Sequence, residues 1–406
     1  MPTDLPPIPA PAPAARPRRP ARIGMLSYSF YEVDARVTRY AETLVRRGDT
    51  VDVLALGQPE AAGQTTVKGV NVLAIQRRER NERGKLAYLY RLLKFFVNSS
   101  VQLNQRHRQQ PYDLIHVHSV PDFEVFAAWF PKLKGAKIIL DIHDIVPEFY
   151  AAKFKVSPES VLCRLLRVVE KLSISFSDWV IISNHLWEKK LRRSVPHGNC
   201  SVVLNYPDET IFFRRPRKRK DGKFVLLYPG TLNWHQGLDL ALSALGRIKD
   251  EAPGVELHLY GRGGTREALE AQARRLGVSD RVIFRDPIPK EKIAEAMAEA
   301  DLGVVPKRND PFGGEAFSTK ILEFMAVGVP VLVAGTKIDR FYFNDSVVKF
   351  FEPDNPDDLA GALRGLIQNP EERRALVDRA ALFLKDYSWE GKKHLYLDLV
   401  DKLIEP

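Results

Sequence analysis

The sequence has few cysteines, no long apolar run and no nucleic-acid-binding signature. Only Cys163 and Cys200 occur among its 406 residues, too few for a disulfide framework and without zinc-site spacing. No run approaches the roughly 18 apolar residues that span a bilayer, and the amino terminus lacks a signal peptide's apolar core. No zinc-finger, RRM-like or helicase motif is found, so nucleic acid is not an expected partner. These absences favour a cytoplasmic protein.

The composition is that of a globular protein with an anionic partner. Hydrophobic residues make up 45% and charged residues 28% of the chain, and its length suits two domains. The formal net charge is +10 and the pI about 9.4. Anionic lipid and a nucleotide sugar are both compatible with this charge.

Apolar runs alternate with helical patterns twice along the chain, which predicts an α/β fold with two Rossmann-like parallel-sheet domains. A ligand cleft is then expected at the carboxyl ends of both sheets. The predicted segments are a disordered Pro-rich leader (1–21), a first domain (22–206), a basic Pro-containing linker (207–222), a second domain (223–388) and a final helix (389–406).

One stretch of the second domain, PFGGEAFSTKILEFMAVGVPVLVAG from Pro311 to Gly335, predicts a loop, a helix and a strand. The helix is expected over Ser318–Val327, ending at Gly328. Free N–H groups at its start, with the adjacent Lys320, form an anion site. Glu315 and Glu323 flank that site, which suits a diphosphate with hydroxyl groups on either side. The alternative is that these side chains only cap the helix or lie on its solvated face.

The stretch resembles the donor-site signature of retaining glycosyltransferases of family 4, which have the GT-B fold. The resemblance lies in Glu-x7-Glu, a helix end with small residues, and Gly328-Val-Pro-Val. It implies two Rossmann-like domains facing an interdomain cleft, with the last helix crossing back to the first domain. Glu323 would accept hydrogen bonds from the ribose, and Glu315 would contact the transferred sugar as a catalytic residue.

Other loops of the second domain are assigned to the donor through the same resemblance. The full predicted donor-binding set is Gly230, Thr231, Gly261, Arg262, Lys307, Phe317, Ser318, Thr319, Lys320 and Glu323. Family members commonly carry Arg and Lys for the diphosphate in the loop after Gly230, where this chain has Thr231 and Gln236. We therefore hypothesise that Lys320 replaces those charges.

The first domain is expected to supply the acceptor side. Asp113-Leu-Ile-His-Val-His places His116 and His118 at the end of a buried strand, on one face. His118 resembles the family's cleft histidine near the transferred sugar and is the second predicted catalytic residue. A histidine that merely caps the next turn is an equally good structural explanation. His143 and Asp144 end the neighbouring strand and are predicted on the acceptor side.

Arg36 is also assigned to the acceptor side, in the first strand-to-helix turn. Arg36 or Arg39 could reach a phosphate there, with a helix-surface arginine as the simpler alternative. No Asp-x-Asp motif stands at a strand end, so neither a metal ion nor a cofactor is predicted, and the nucleotide sugar is a co-substrate. The resemblance also implies retention of configuration, with the leaving phosphate taking the acceptor proton.

The segment Lys85–Arg108 mixes Leu, Tyr and Phe with Lys and Arg. It either packs one apolar face on its own domain or lies on an anionic membrane surface, where it would serve a lipid-carried acceptor. The second case corresponds to a peripheral protein on the inner face of the cytoplasmic membrane.

The function these features favour is transfer of a sugar, from a UDP-sugar by default, to a glycan or polyprenyl-linked acceptor in surface glycan or glycolipid synthesis. Two alternatives stay open: a sugar-nucleotide 2-epimerase of the same fold, and a non-catalytic binding subunit.

Overall fold

The structure is a computed structural model that describes residues 19–58, 63–77, 85–154 and 156–405. Most of the predicted Pro-rich leader therefore lies outside the described residues. Within them, no helix is both long enough and apolar enough to cross a membrane.

The first sheet has eight strands among the described residues, in the order β3-β4-β2-β1-β5-β6-β7-β8. The strands are β1 (Arg22–Phe30), β2 (Thr50–Gly57), β3 (Gly63–Val67), β4 (Val70–Arg77), β5 (Leu114–His118), β6 (Lys137–Ile142), β7 (Trp179–Ile182) and β8 (Cys200–Val202). All neighbours pair in parallel except β3 and β4, which are antiparallel. The parallel sheet predicted from the sequence therefore carries one antiparallel edge strand.

Helices cover both faces of this sheet. They are α1 (Ala35–Arg46), α2 (Lys85–Gln109), α3 (Trp129–Leu133), α4 (Val146–Phe154), α5 (Val161–Phe176) and α6 (His185–Leu191). A 3-10 helix, Asp122–Ala128, precedes α3. Side chains from α2, the 3-10 helix, α5 and α6 share one apolar cluster, so these elements cover the same face.

The second sheet has six strands among the described residues, all parallel, in the order β11-β10-β9-β12-β13-β14. They are β9 (Phe224–Pro229), β10 (Val255–Tyr260), β11 (Val282–Arg285), β12 (Leu302–Val305), β13 (Val331–Ala334) and β14 (Lys349–Phe351). The helices are α7 (Leu238–Ile248), α8 (Arg266–Leu276), α9 (Lys290–Ala298), α10 (Thr319–Val327), α11 (Lys337–Tyr342), α12 (Pro356–Gln368), α13 (Pro370–Phe383) and α14 (Trp389–Ile404). This is the predicted α/β class with two Rossmann-like sheets.

The last helix, α14, packs on the first sheet's side of the molecule. Tyr396 Oη lies 2.9 Å from His116 Nδ1 on β5, and Trp389 Nε1 donates to Thr43 Oγ1 on α1 at 2.9 Å. An ion pair of 2.9 Å joins Asp401 to Arg47. These contacts favour the prediction that the last helix crosses back to the first domain. The exact domain boundaries stay a prediction.

Candidate active site

A cavity of about 420 Å³ lies between the two sheets and is lined by residues of both. The first half contributes α1 and the turn before it, and the second half contributes the starts of α9 and α10. The charged and polar side chains at its surface are Ser29, Asp34, Arg36, Arg39, His143, Asn205, Asp208, Lys290, Thr319 and Glu323. Strand ends and helix starts thus meet at this cleft, as expected for parallel sheets.

The start of α10 presents several polar groups without protein partners. Ser318 occupies the N-cap position with extended backbone, yet its side chain makes no capping hydrogen bond, and its buried Oγ has no partner among the described residues. Within the same part of the chain, the backbone N–H groups of Thr319 and Lys320 donate to no acceptor. Because helix starts attract negative charge, this arrangement suits an anion.

Lys320 lies against Gly230 at the end of β9. A Cβ on Gly230 would lie 2.5 Å from Lys320 Cε, and the Gly230 φ of +146° also disfavours any other residue. The Lys320 ammonium lies 5.4 Å from the Tyr228 ring centroid and makes no ion pair in the described chain. Burial lowers the pKa of this ammonium, and Lys307 lowers it further, whereas Glu323 raises it. A bound anion would oppose that lowering.

Glu323 shares the cleft with two more cations. Burial raises the pKa of its carboxyl group, while Lys320, Arg39 and Lys290 act in the opposite direction. Arg39 is 8% exposed and makes no ion pair or hydrogen bond among the described residues. Burial lowers the pKa of the Arg39 guanidinium to about 10, and the neighbouring Arg36 contributes to the lowering. Three cations therefore act on the Glu323 carboxylate, and the cleft also contains the carboxylates of Asp34 and Asp208.

Glu315 lies where the two halves of the molecule meet. Its carboxylate contacts Lys337 of α11 at 2.9 Å and also Lys190 of α6. Asn184 donates to the Glu315 backbone carbonyl at 3.2 Å. Burial opposes ionisation of Glu315, but the two lysines hold its pKa below the usual value. The loop is thus fixed from both sides of the cleft.

Arg36 and Asp141 form a buried bidentate ion pair, with Nε and Nη2 each 2.7 Å from a carboxylate oxygen. The side chains are 4% and 0% exposed. Arg36 Nη1 also donates to the Val203 carbonyl at 2.8 Å and to Asn205 at 3.0 Å. Arg36 is therefore a structural link between α1, β6 and the segment after β8, and its predicted acceptor contact stays a prediction.

Three histidines surround the same carboxylate. Ring nitrogens of His143, His118 and His116 lie 3.2, 3.4 and 3.6 Å from Asp141 Oδ2. The His116 and His118 side chains are fully buried, whereas His143 is 18% exposed and lines the cleft. His118 contacts the cleft through His143, whose Nε2 lies 3.3 Å from His118 Nδ1. A ligand in the cleft would therefore meet His143 before His118.

His116, His118 and Asp141 also have the residue types and proximity of a metal site, since their donor atoms lie within 4.8 Å of one another. The guanidinium of Arg36 already occupies both oxygens of Asp141 and would repel a cation. Burial lowers the pKa of His116 to about 3, so the ring is neutral at ordinary pH. The donor set fits a hydrogen-bonded ion-pair cluster better than a metal centre.

Several other predicted donor residues have protein partners. Lys307 is buried, 2.9 Å from Asp339 and 2.7 Å from the Ala316 carbonyl, so it supports the Glu315 loop from behind. Arg262 is exposed and pairs with Asp286 at 3.2 Å. Phe317 packs edge-on against Tyr342. Their contacts with a donor stay predictions.

The remaining predicted residues lie on strand-end loops. Thr231 is exposed and its carbonyl accepts from Tyr228 Oη at 3.1 Å. Gly261 packs so closely on the next loop that a Cβ would lie 1.8 Å from the Gly230 carbonyl oxygen. Asp144 follows β6 beside His143, and burial raises the pKa of its carboxyl group.

Sequence reasoning missed Asp141 and Lys290 as parts of this site and left Arg39 as a minor option. Asp141 stands two residues before His143 in the strand LDIHD, so alternation along the strand was an available signal. Lys290 begins α9 directly after a Pro-rich loop, and no local pattern connects it to Glu323.

The two facing sheets, with an anion site at the start of α10 and paired carboxylates beside it, define a GT-B glycosyltransferase. Two family models match the chain: the glycosyl transferase 4-like domain over residues 33–205 and the glycosyl transferases group 1 over residues 209–383. The chain therefore belongs to the group 1 glycosyl transferases, the retaining, nucleotide-sugar-dependent family that its signature resembles.

Relatives match over most of their length. An uncharacterized glycosyltransferase of Methanocaldococcus jannaschii is 25% identical over 86% of this chain and 89% of its own. A phosphatidyl-myo-inositol mannosyltransferase of Mycolicibacterium smegmatis is 26% identical over 91% of this chain and 90% of its own. Sucrose-phosphate synthase of Thermosynechococcus elongatus has the same fold, with a TM-score of 0.75, 19% identity and coverage of 93% and 99%. Anabaena HepE, solved with UDP-glucose, has a TM-score of 0.71 at 17% identity, covering 94% and 100%.

Proposed function

We propose that this enzyme transfers a sugar from a UDP-sugar to a hydroxyl group of a glycan or lipid-linked acceptor. The observation that carries the proposal is the start of α10 beside the cleft, where Ser318 Oγ, the backbone N–H groups of Thr319 and Lys320, and the Lys320 ammonium have no hydrogen-bond or ion-pair partner in the described chain. A diphosphate satisfies all of these groups at once. The Anabaena structure with UDP-glucose supports the choice of base.

In this proposal the diphosphate lies at the start of α10, with Lys320, Lys290 and Arg39 around it. The Glu323 carboxylate accepts hydrogen bonds from the ribose hydroxyls, and Glu315 contacts the transferred sugar. The acceptor oxygen attacks the anomeric carbon as the bond to the leaving phosphate breaks, and a phosphate oxygen takes the acceptor proton. Fixed dipoles and cations stabilise the leaving group, so no divalent ion is required.

The acceptor approaches from the first sheet, past His143 and Asp144. His143 is the exposed member of the histidine cluster, and Asp141 and His118 orient it from behind. The mannosyltransferase relative named for phosphatidyl-myo-inositol supports an acceptor that carries a lipid. His118 then acts as a positioning residue for His143.

Glu315→Gln is expected to lower sugar transfer by about a hundred-fold, because the carboxylate orients the reacting sugar. A thermal-shift screen of UDP-, GDP- and ADP-sugars first identifies the donor, which stabilises the fold by mass action. Transfer is then measured with that donor, and Glu159→Gln, an exposed glutamate at 74% side-chain exposure, serves as the control.

The same assay separates the competing functions. A UDP-sugar that equilibrates without any acceptor indicates an epimerase. Donor binding with no turnover in the unaltered protein indicates a binding subunit. Either result contradicts the proposed transfer reaction.

We further propose that α2 and α5 together form a membrane-facing surface. Both flank the 3-10 helix on one face of the first sheet, with Phe96 against Phe123 and Phe176 against Phe126. Their outer sides expose an apolar stripe. It consists of Leu89, Tyr90, Leu93, Val97 and Val101 on α2 and Val161, Leu165, Val168 and Leu172 on α5. Exposed cations such as Lys94 and Lys171 interleave with it, which suits an anionic bilayer.

Lys94→Glu with Lys171→Glu is expected to weaken binding to phosphatidylglycerol vesicles by at least about thirty-fold, since each lost cation contributes about 1 kcal/mol and the added carboxylates are repelled by the lipid. Cosedimentation measures the binding. Arg274→Glu with Arg275→Glu on α8 makes the same charge change elsewhere and should leave binding nearly unchanged. Equal losses in both variants, or no binding by the unaltered protein, would exclude this surface.

A further inference from the structure

A second concave site lies at the end of the second sheet that is opposite the cleft. Its walls include residues directly before β12 and β13, so it lies at the amino ends of those strands, whereas the cleft lies at the carboxyl ends. The volume is about 590 Å³, which is within the range of small-molecule sites. We call it the arginine groove because five arginines line it: Arg214, Arg215, Arg217, Arg373 and Arg374.

The two carboxylates of the groove, Asp301 and Asp378, offset its five arginines only in part. Asp301 pairs with Arg217 and, outside the lining, with Arg219. Among the described residues, no ion pair involves the guanidinium groups of Arg214, Arg215 or Arg374. The lining therefore keeps an excess of positive charge.

Two of the arginines show the consequence of this crowding. Burial lowers the pKa of Arg373, and the adjacent cations of Arg217 and Arg374 lower it further, against the effect of Asp301. Arg215 Nη1 is buried with no hydrogen-bond partner in the described chain. Arg215 Nη2 donates to the Ile211 carbonyl, and Arg373 Nη1 donates to the carbonyls of Leu366 and Ile367. Arg214 and Arg374 are therefore the groove arginines that have no hydrogen bond or ion pair in the described chain.

The concave shape of the groove and its apolar lining residues limit which class of ligand it can bind. Ala298, Ala300, Val327, Val329 and Pro330 form the apolar part of the lining. A flat bilayer reaches a concave site poorly, and no aromatic side chain in the lining is available to stack nucleic-acid bases. A small, highly charged anion fits these features.

We propose that the arginine groove binds a small anion with two or more linked phosphate groups, at a site separate from the donor cleft. The forked guanidinium group pairs bidentately with phosphate oxygens, and several such groups around one concave surface select for linked phosphates over a single one. The apolar part of the lining leaves room for an attached organic group such as a nucleoside. The two sites contact opposite ends of α10, which begins at the cleft and ends at Val327 in the groove.

Isothermal titration of the full chain with inorganic triphosphate, and separately with ATP, tests this proposal. Arg214→Gln with Arg374→Gln is expected to weaken binding about ten-fold or more, because two charge-assisted contacts are lost. Lys218→Gln with Lys220→Gln removes the same charge from the same basic segment outside the groove lining, and should change binding less than about two-fold. Lys320→Ala, which alters the donor cleft, should leave this binding intact.

Three outcomes would overturn the proposal. Equal losses in the arginine and lysine variants indicate non-specific attraction. Loss of triphosphate binding only in Lys320→Ala assigns the anion to the donor cleft. If neither triphosphate nor ATP binds, the proposal is wrong. If the unaltered protein then binds phosphatidylglycerol vesicles and the arginine variant does not, the surface is assigned to a membrane. Donor binding is measured separately, so failure here leaves the proposed transfer function untouched.

Discussion

Asp141→Asn is expected to lower the free energy of unfolding by about 3–5 kcal/mol, since it leaves the buried guanidinium of Arg36 without its counter-charge. Asparagine keeps the shape of the side chain, so packing is nearly unchanged and the charge is what the variant tests. The cost is large because both partners of the pair are almost completely buried. The same pair connects α1 to β6 and to the segment after β8.

Chemical denaturation of the full chain measures this effect. Asp357→Asn provides a matched control, because Asp357 is 76% exposed and pairs with Arg247 on the surface. Exposed pairs contribute about 0–1 kcal/mol, so the control should shift stability little. Similar shifts in the two variants would show that Arg36 finds another partner or water when Asp141 loses its charge.

The cluster around Asp141 also predicts that stability falls in acid. Burial opposes ionisation of Asp141, but Arg36 and the histidines hold its pKa well below 3.8, so its contribution is present above pH 3.8 and is lost as the pH falls through the folded-state value. Burial lowers the pKa of His116 from 6.5 to about 3, so protonation from pH 6.5 downward also favours unfolding. Both effects have the same sign. A denaturation midpoint that stays constant from pH 7 to pH 4 would contradict the His116 effect, and one that stays constant below pH 4 would contradict the Asp141 effect.

Lys320→Ala is expected to weaken nucleotide-sugar binding by about ten- to a hundred-fold, the loss of one charged hydrogen bond to phosphate. The chain has Thr231 and Gln236 where family members commonly carry cations, so the remaining lysine should contribute more. Titration calorimetry with the donor identified by the thermal-shift screen measures the dissociation constant.

Two further variants make the Lys320 result specific. Lys292→Ala removes an exposed lysine of α9 that pairs with Glu295, and should leave donor affinity unchanged. Gly230→Ala places a Cβ 2.5 Å from Lys320 Cε, so the lysine must move, and should weaken donor binding as well. If donor affinity survives Lys320→Ala, the diphosphate is held by Arg39, Lys290 and the helix start instead.

Local patterns predicted the signature helix accurately. The expected helix over Ser318–Val327 corresponds to α10 at Thr319–Val327, because Gly328 adopts the left-handed conformation that ends a helix. Elements without a strong local pattern were missed. The edge strand β3 is almost wholly exposed and polar, so it carries no apolar alternation, and its pairing with β4 supplies its structure.

The sequence by itself determined the class of fold and the family, because apolar periodicity and the Glu-x7-Glu signature are properties of neighbouring residues. Only the tertiary structure decided which side chains share a site. Arg36 meets Asp141 across 105 positions of the chain, and the donor cleft brings Arg39 of one half toward Glu323 of the other. Local sequence does not determine such long-range contacts, since they depend on the order of strands in the sheets and on how the two halves of the molecule pack together. Burial then set the roles, leaving His143 at the cleft and His118 behind it.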